Sequence, residues 1–224
     1  METISPTIVL QSLSSTMAGG GSSARSTPAG ILTVGPDSAG ADPGPACYAR
    51  GGELPTVTDA DLLLGYIGPD QALAGSMPLE IQSAQRAIAD WIANPRNQSV
   101  EIAALNIRDV VDREMAAAIG RGIEGRNLRS HEVTLLGFGG AGPLHAVSIA
   151  GHAGINRVIA FPFGSVFSAY GSSTTNIAHL YRRTHGISVT DPSLEASVRQ
   201  ATGAVSYTHL TLPTSDLVKI SVVA

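Results

Sequence analysis

An α/β fold is predicted for this chain of 224 residues. Three observations lead to that class: a strand–helix–strand–helix alternation over 133–180, a helical middle over 76–119, and a first segment too rich in glycine and proline for regular helix. The alternation is the most direct of the three. Residues 133–138 are a compact apolar run of strand length, read as a buried strand, and Gly139-Gly140-Ala141-Gly142 follows at once. Pro143 stands where the first turn of a helix begins, a position that tolerates its missing N–H. That helix is expected to run to about Ala153 and to close at Gly154. A second buried strand at 157–161 and a helix at 166–180 complete the pattern. Strands alternating with helices in this way lie parallel and are joined by right-handed crossovers.

The middle of the chain reads as two helices. Ser76 and Pro78 mark a helix start, Leu79, Ala84, Ile88, Trp91 and Ile92 form an apolar stripe, and Asn94-Pro95 stops it. Ser99 is placed to cap a longer helix, with Glu101 in the first turn opposite the positive end of the helix dipole. Ile102, Leu105, Val110, Val111, Met115, Ala118 and Ile119 are expected to form its buried face. The first sixty residues should hold turns, loops and two short strands, at 8–10 and 31–34.

Composition narrows the function classes. Apolar residues make up 43% and charged residues 14%, which describes a globular chain and not a disordered one. A net charge of −4 offers nothing to attract nucleic acid or an anionic membrane, so neither is expected as a partner. The lone cysteine, Cys47, excludes an intrachain disulfide and suits a reducing cytoplasm. No apolar run approaches the length that spans a bilayer, and the N-terminus has no basic segment leading into an apolar one. A cytoplasmic protein is the expectation. Residues 205–214 resemble the translation of a sequencing-library adapter and 220–224 a further piece in the same frame. The segment 205–224 is therefore set aside as a tail of non-biological origin, and Tyr207 and His209 carry no functional weight.

Three groups of residues bear on chemistry. The first is the turn formed by Gly139, Gly140, Ala141, Gly142 and Pro143. A strand ending in glycines that open a helix brings backbone N–H groups to the positive helix end, an arrangement that suits a phosphate or the polar edge of a nucleotide. On spacing alone, tight packing is the stronger reading. No Gly-Lys-Ser/Thr follows, so this is not a P-loop, and the spacing differs from the dinucleotide fingerprint. The second group is Asp37 and Asp42, set in a Gly/Pro loop from Val34 to Tyr48. Carboxylates held so can bind a metal or orient a nucleophile, and turn-capping is the stronger reading from the residues themselves. The third comprises His131, His145, His152, His179 and His185. None has compact metal-ligand spacing, so no metal is assigned to them. His145 and His152 can share one helix face as packed, hydrogen-bonded side chains. Cys47 is read as a buried, inert thiol.

Taken together, these segments resemble the hydantoinase A/oxoprolinase superfamily. Ala18-Gly19-Gly20-Gly21-Ser22 is similar to the family's glycine-rich turn, and the block from Val34 to Tyr48 is similar to its Val-Gly-Pro-x-Ser-Ala-Gly-Ala-Asp-Pro-Gly-Pro-Ala-Cys-Tyr run. Arg50-Gly51-Gly52 and Thr56-Val57-Thr58-Asp59-Ala60 resemble the family's next segment, and Phe138-Gly139-Gly140-Ala141-Gly142-Pro143-Leu144-His145-Ala146 resembles a later block. The resemblance covers approximately 17–185, leaves 1–16 as a poorly matching segment, and marks 17–204 as a domain fragment. It implies an incomplete lobe of an actin/Hsp70-like (ribonuclease H-like) ATPase. It also implies an ATP-dependent hydrolase that activates an amide carbonyl by phosphoryl transfer, with Mg²⁺ and a hydantoinase B-type subunit or domain. The substrate class implied is a cyclic amide such as a hydantoin or 5-oxoproline, or a ketone in the carboxylase branch. Placed on this sequence, Gly139, Gly140, Ala141, Gly142 and Pro143 become the adenosine-side turn, with Gly19, Gly20, Gly21 and Asp42 near the cleft.

Two departures from the family pattern stand out. Its N-terminal Asp-x-Gly-Gly-Thr loop and its second Asp-Met-Gly-Gly-Thr-type loop, which hold phosphates and metal, are not in this sequence. The chain by itself is accordingly expected not to hydrolyse ATP. The segment 161–173, with Phe161, Phe163, Phe167 and Tyr170, resembles the acetone/acetophenone carboxylase branch, which attaches carbon dioxide or bicarbonate to a ketone. A non-catalytic α/β binding or assembly module is the remaining alternative.

Overall fold

The computed structural model describes residues 19–27, 29–70, 75, 77–175, 192–196 and 199–200. The chain divides into two compact units, 1–170 and 171–224. In the second, the described residues include an exposed Arg199–Glu195 ion pair at 2.7 Å. The expected strand at 8–10, the end of the 166–180 helix, and the 205–224 tail lie outside the described residues, as do His179 and His185.

The first unit begins with a hairpin. Strand β1 (Ser22–Ser26) pairs antiparallel with β2 (Leu32–Ser38), which takes in most of the strand expected at 31–34. Helix α1 (Val57–Leu63) comes next, started by a capping box: the Thr56 side chain accepts from the Asp59 N–H while the Asp59 carboxylate accepts from the Thr56 N–H. Helix α2 (Ile81–Ile88) starts later than the Ser76 and Pro78 signals suggest. It runs on through a π-helical turn, Ala89–Ala93, and a 3-10 turn, Asn94–Arg96, and ends where Asn97 takes a left-handed conformation. Helix α3 (Val100–Glu124) is capped by Ser99, whose hydroxyl accepts from the Ile102 N–H.

The predicted alternation is present. Strand β3 (Thr134–Gly137) pairs parallel with β4 (Arg157–Ala160), and α4 (Gly142–Ala153) crosses between them. Gly154 closes α4 in the left-handed conformation, φ +68°. Helix α5 (Phe167–Thr174) matches the start of the helix expected at 166–180.

The main core joins the hairpin to the first three helices: Ala24 and Val34 pack with Val57, Ala60, Ile88, Ile92, Ala103, Ala104, Ile107 and Val111. A second cluster, Ile123 with Ala150 and Ile155, ties the end of α3 to α4. Three expectations fail here. Ile102 and Leu105 are 50% and 52% exposed, while Val111 is buried as expected with Val110, Met115 and Ile119 packed partly buried beside the core, and the rest of the buried face of α3 is Ala103, Ala104, Ile107, Arg108, Asp112, Ala116 and Ile123. Small alanines admit close helix contact at this face and paired charges complete it, neither of which a hydropathy stripe reveals. Trp91 is half-exposed, since it falls in the π-helical turn that shifts the stripe. Finally, β3 is only half-buried and β4 largely exposed, because among the described residues each of these two strands pairs with the other alone.

Candidate functional site

The glycine turns meet at one end of the first unit. Gly20 is the meeting point: its carbonyl accepts from both the N–H and the hydroxyl of Thr58 at 2.8 Å. A Cβ built on Gly20 would lie 2.8 Å from the Thr58 hydroxyl and 3.9 Å from the Ala141 Cβ. The turn of Gly19, Gly20 and Gly21 therefore sits against the turn of residues 139–143. Gly21 connects it to the third block, since its carbonyl accepts from the Ala39 N–H at 2.8 Å. Blocks separated by about a hundred residues in sequence thus share one surface.

The glycines of the later turn have different causes. Gly137 is a packing residue: a Cβ there would come 2.9 Å from the Ala146 Cβ, so it lets strand β3 meet helix α4. Gly139 is conformational, at φ +83°, and its N–H donates to the Gly164 carbonyl at 2.8 Å. Gly140 has neither reason. A Cβ on it meets nothing within 4 Å, and its backbone is outside the left-handed region. The helix beyond it starts at Ala141, which makes no side-chain cap hydrogen bond. The result is bare backbone at an uncapped helix start, which leaves room for a ligand to approach.

Asp42 is exposed on the loop that leads from Ala39, and Asp37 is exposed and paired with Arg25 at 3.3 Å. The loop is anchored by Asp59, a residue that sequence reasoning places only within a matching segment. Its buried carboxylate accepts from the Ala46, Cys47 and Thr56 N–H groups at 3.3, 2.7 and 2.8 Å and from the Thr56 hydroxyl at 2.8 Å. Cys47 is fully buried, and burial, with the Asp59 charge added, pushes its thiol well above the usual thiol range. A thiol so placed keeps its proton and is a poor nucleophile.

A charged cluster lies beneath the 139–143 turn and joins three helices. His145, in the first turns of α4, is 1% exposed. Its Nδ1 is 2.6 Å from an Asp112 oxygen and its Nε2 is 3.1 Å from an Asp61 oxygen. Arg108 donates to Asp61 and to the Leu144 carbonyl, stands 3.9 Å from Asp112, and carries the Tyr66 ring 3.7 Å from its guanidinium carbon. Two carboxylates thus face two cationic groups, the condition under which burying them is tolerable. Two turns further along α4, His152 meets Asp109 at 3.3 Å, so both histidines do face α3. His131 is exposed. Sequence reasoning missed Asp61, Arg108 and Asp112. The available signal was an Arg and an Asp at i, i+4 flanking Val111, charges placed inside an apolar stripe.

Beyond β4, Phe161 stacks on Phe167 with centroids 4.1 Å apart, and Phe163 and Tyr170 extend this aromatic group into solvent. Two open surface grooves, one beside Arg86 and Trp91 and one beside Tyr48 and Leu79, are lined by other residues than the glycine turns. Among the described residues no helix is long and apolar enough to cross a membrane, and no group of three or more His, Cys, Asp or Glu is placed to hold a metal ion.

The chain is 44% identical over 193 residues to the acetophenone carboxylase gamma subunit of Aromatoleum aromaticum, covering 85% of this chain and 25% of that subunit. In solved structures, acetone carboxylase in its nucleotide-free form superimposes with a TM-score of 0.70 at 29% identity, covering 87% of this chain and 28% of that one. The ATP-dependent caprolactamase of Pseudomonas jessenii gives 0.69 at 35% identity, covering 90% and 30%. The chain therefore spans about a quarter of the length of these relatives. The hydantoinase/oxoprolinase family model matches residues 3–181, beginning inside the segment read as poorly matching. With that match across most of its length, the chain belongs to the hydantoinase/oxoprolinase family.

Proposed function

We infer that this chain is one segment of an ATP-dependent enzyme subunit that activates an amide carbonyl by phosphoryl transfer. In this reading the turns around Gly20, Ala39 and Gly140 form the adenosine side of the nucleotide site. The observation that carries it is their convergence, with Gly140 left bare where no packing demands a glycine. The residues fit a nucleotide: the open side of Gly140 and the uncapped start of α4 leave polar backbone accessible at the positive end of a helix. ATP would supply the phosphoryl group, with Mg²⁺ neutralising its charge, as such chemistry requires. The residues of this chain serve to bind. Gly139, Gly140, Ala141, Gly142 and Pro143 present backbone, Gly19, Gly20 and Gly21 close one side, and the loop carrying Asp42 borders them. The strand–helix–strand unit belongs, on this account, to one actin/Hsp70-like lobe, with 205–224 an adapter-derived tail and the working assembly including a hydantoinase B-type subunit in the cytoplasm.

The substrate is a small cyclic amide in this reading. A ketone carboxylase is the second reading, favoured by the 44% identity to an acetophenone carboxylase subunit. Phosphate release by the full-length subunit with its B-type partner, tested with hydantoin, 5-oxoproline, and acetone plus bicarbonate, separates the two. Stimulation by an amide supports the first and by acetone plus bicarbonate the second. No stimulation by any of them overturns both.

A further inference from the structure

The buried cluster beneath the 139–143 turn has no part in the function proposed above. It consists of Asp61 from α1, Arg108 and Asp112 from α3, and His145 from α4. It is more than a fold fastener, because of which backbone it holds. His145 lies two residues beyond Pro143, and Arg108 donates to the carbonyl of Leu144 between them. The cluster therefore fixes the first turn of α4, whose start is the bare backbone at Gly140 and Ala141.

The geometry also sets the charge state of His145. Each ring nitrogen faces a carboxylate oxygen, Asp112 at 2.6 Å and Asp61 at 3.1 Å. A neutral imidazole carries one N–H, so one nitrogen lone pair would be aimed at a carboxylate in a buried site. The imidazolium donates to both. Arg108 pairs with Asp61 as well. Among the described residues, the other strands packed on α4 contribute no competing charge at this point: β3 has no charged residue, and Arg157 of β4 is directed to the Glu132 carbonyl.

We propose that His145, held as the imidazolium between Asp61 and Asp112, is a positioning residue for the nucleotide-binding turn, so that nucleotide affinity follows its protonation. Loss of the proton sets a lone pair against a carboxylate and releases the first turn of α4 from α1 or α3, and the backbone at Gly140 and Ala141 moves with it. The inference rests on the assignment of that turn to nucleotide. Burial alone would lower the His145 pKa, and the hydrogen bonds to Asp112 and Asp61 outweigh burial and the opposing Arg108, raising it to about 9. The protein is then in its binding form at neutral pH and loses it in mild alkali.

The test is ADP affinity of the full-length protein by calorimetry from pH 6.5 to 10, with circular dichroism at each pH to confirm that the fold persists. The expected result is a weakening of about tenfold, within the usual range for coupled sites, with a midpoint near 9. Asp112→Asn lets a neutral ring accept from the new amide, so loss of the proton no longer sets a lone pair against a carboxylate and the weakening across this pH range should shrink to less than about threefold. A purely structural role would lower affinity equally at every pH and leave the shape of the profile unchanged. Flat wild-type affinity to pH 10, or the full wild-type weakening retained in Asp112→Asn, overturns the proposal. If that variant does not fold, nitrogen-detected NMR of wild-type His145 at pH 7.5 decides: two protonated ring nitrogens support the proposal and one refutes it. Gly140→Val keeps the two claims separate. If it abolishes ADP binding while affinity is flat with pH, the turn assignment stands and this inference fails. If it leaves binding intact, the turn assignment itself fails.

Discussion

Asp59 offers a stability prediction whose size can be worked out atom by atom. Its carboxylate is fully buried, and its two oxygens do unequal work. One oxygen accepts from the Ala46 N–H, the Thr56 N–H and the Thr56 hydroxyl, and the other accepts from the Cys47 N–H. Asp59→Asn keeps the shape and retains one acceptor. The best orientation puts the amide oxygen on the threefold side and an NH₂ against the Cys47 N–H. That leaves one buried donor unsatisfied and facing another donor, about 2 kcal/mol. Asp59→Ala removes all four acceptor contacts, and with partial rescue by water the loss is about 4 kcal/mol. Urea unfolding of the full chain, followed by circular dichroism, measures both. Because asparagine is isosteric, an Asp59→Asn variant within about 0.5 kcal/mol of wild type would refute the claim that these hydrogen bonds anchor the loop.

Other expectations rest on the same geometry. His145 is raised on folding to about 9, above the ~6.5 of a free imidazole. Its stabilisation is therefore full below about pH 6.5, declines as pH rises, and is gone above about pH 9, a total of about 3 kcal/mol. Urea midpoints across that range should fall in wild type and fall at lower pH in Asp112→Asn; a flat wild-type profile would count against the imidazolium. Ser99→Ala removes the hydroxyl that accepts from Ile102 N–H and should destabilise by about 1 kcal/mol, read as a lower urea midpoint.

What the sequence reveals and what it hides have separate causes. The β3–α4–β4 unit was legible because its signals are local: an apolar run, glycines, Pro143 inside a helix start and Gly154 at its end. The Ser99 cap was legible for the same reason. The convergence of Gly20 with Ala141 is not local, since it depends on Thr58 holding the Gly20 carbonyl from another element. Only the family resemblance placed the two turns together in advance. The cluster of Asp61, Arg108, Asp112 and His145 was hidden because single charged residues read as solvent-facing until partners from three helices are brought together. Ile102 and Leu105 misled for the converse reason. Their hydrophobicity suggested burial, while the tighter approach at Ala103 and Ala104 gave that face of α3 to the core.

The central claim is that bare backbone at Gly140 contacts a nucleotide, and ADP affinity of Gly140→Val tests it most directly. The new side chain enters open space and the backbone there is not left-handed, so the fold should be undisturbed. The same side chain would occupy the space a ligand needs. The account predicts an unchanged urea midpoint together with a loss of ADP affinity of at least about a hundredfold, the scale of a lost close contact in a binding site. An unchanged urea midpoint with unchanged ADP affinity would contradict it.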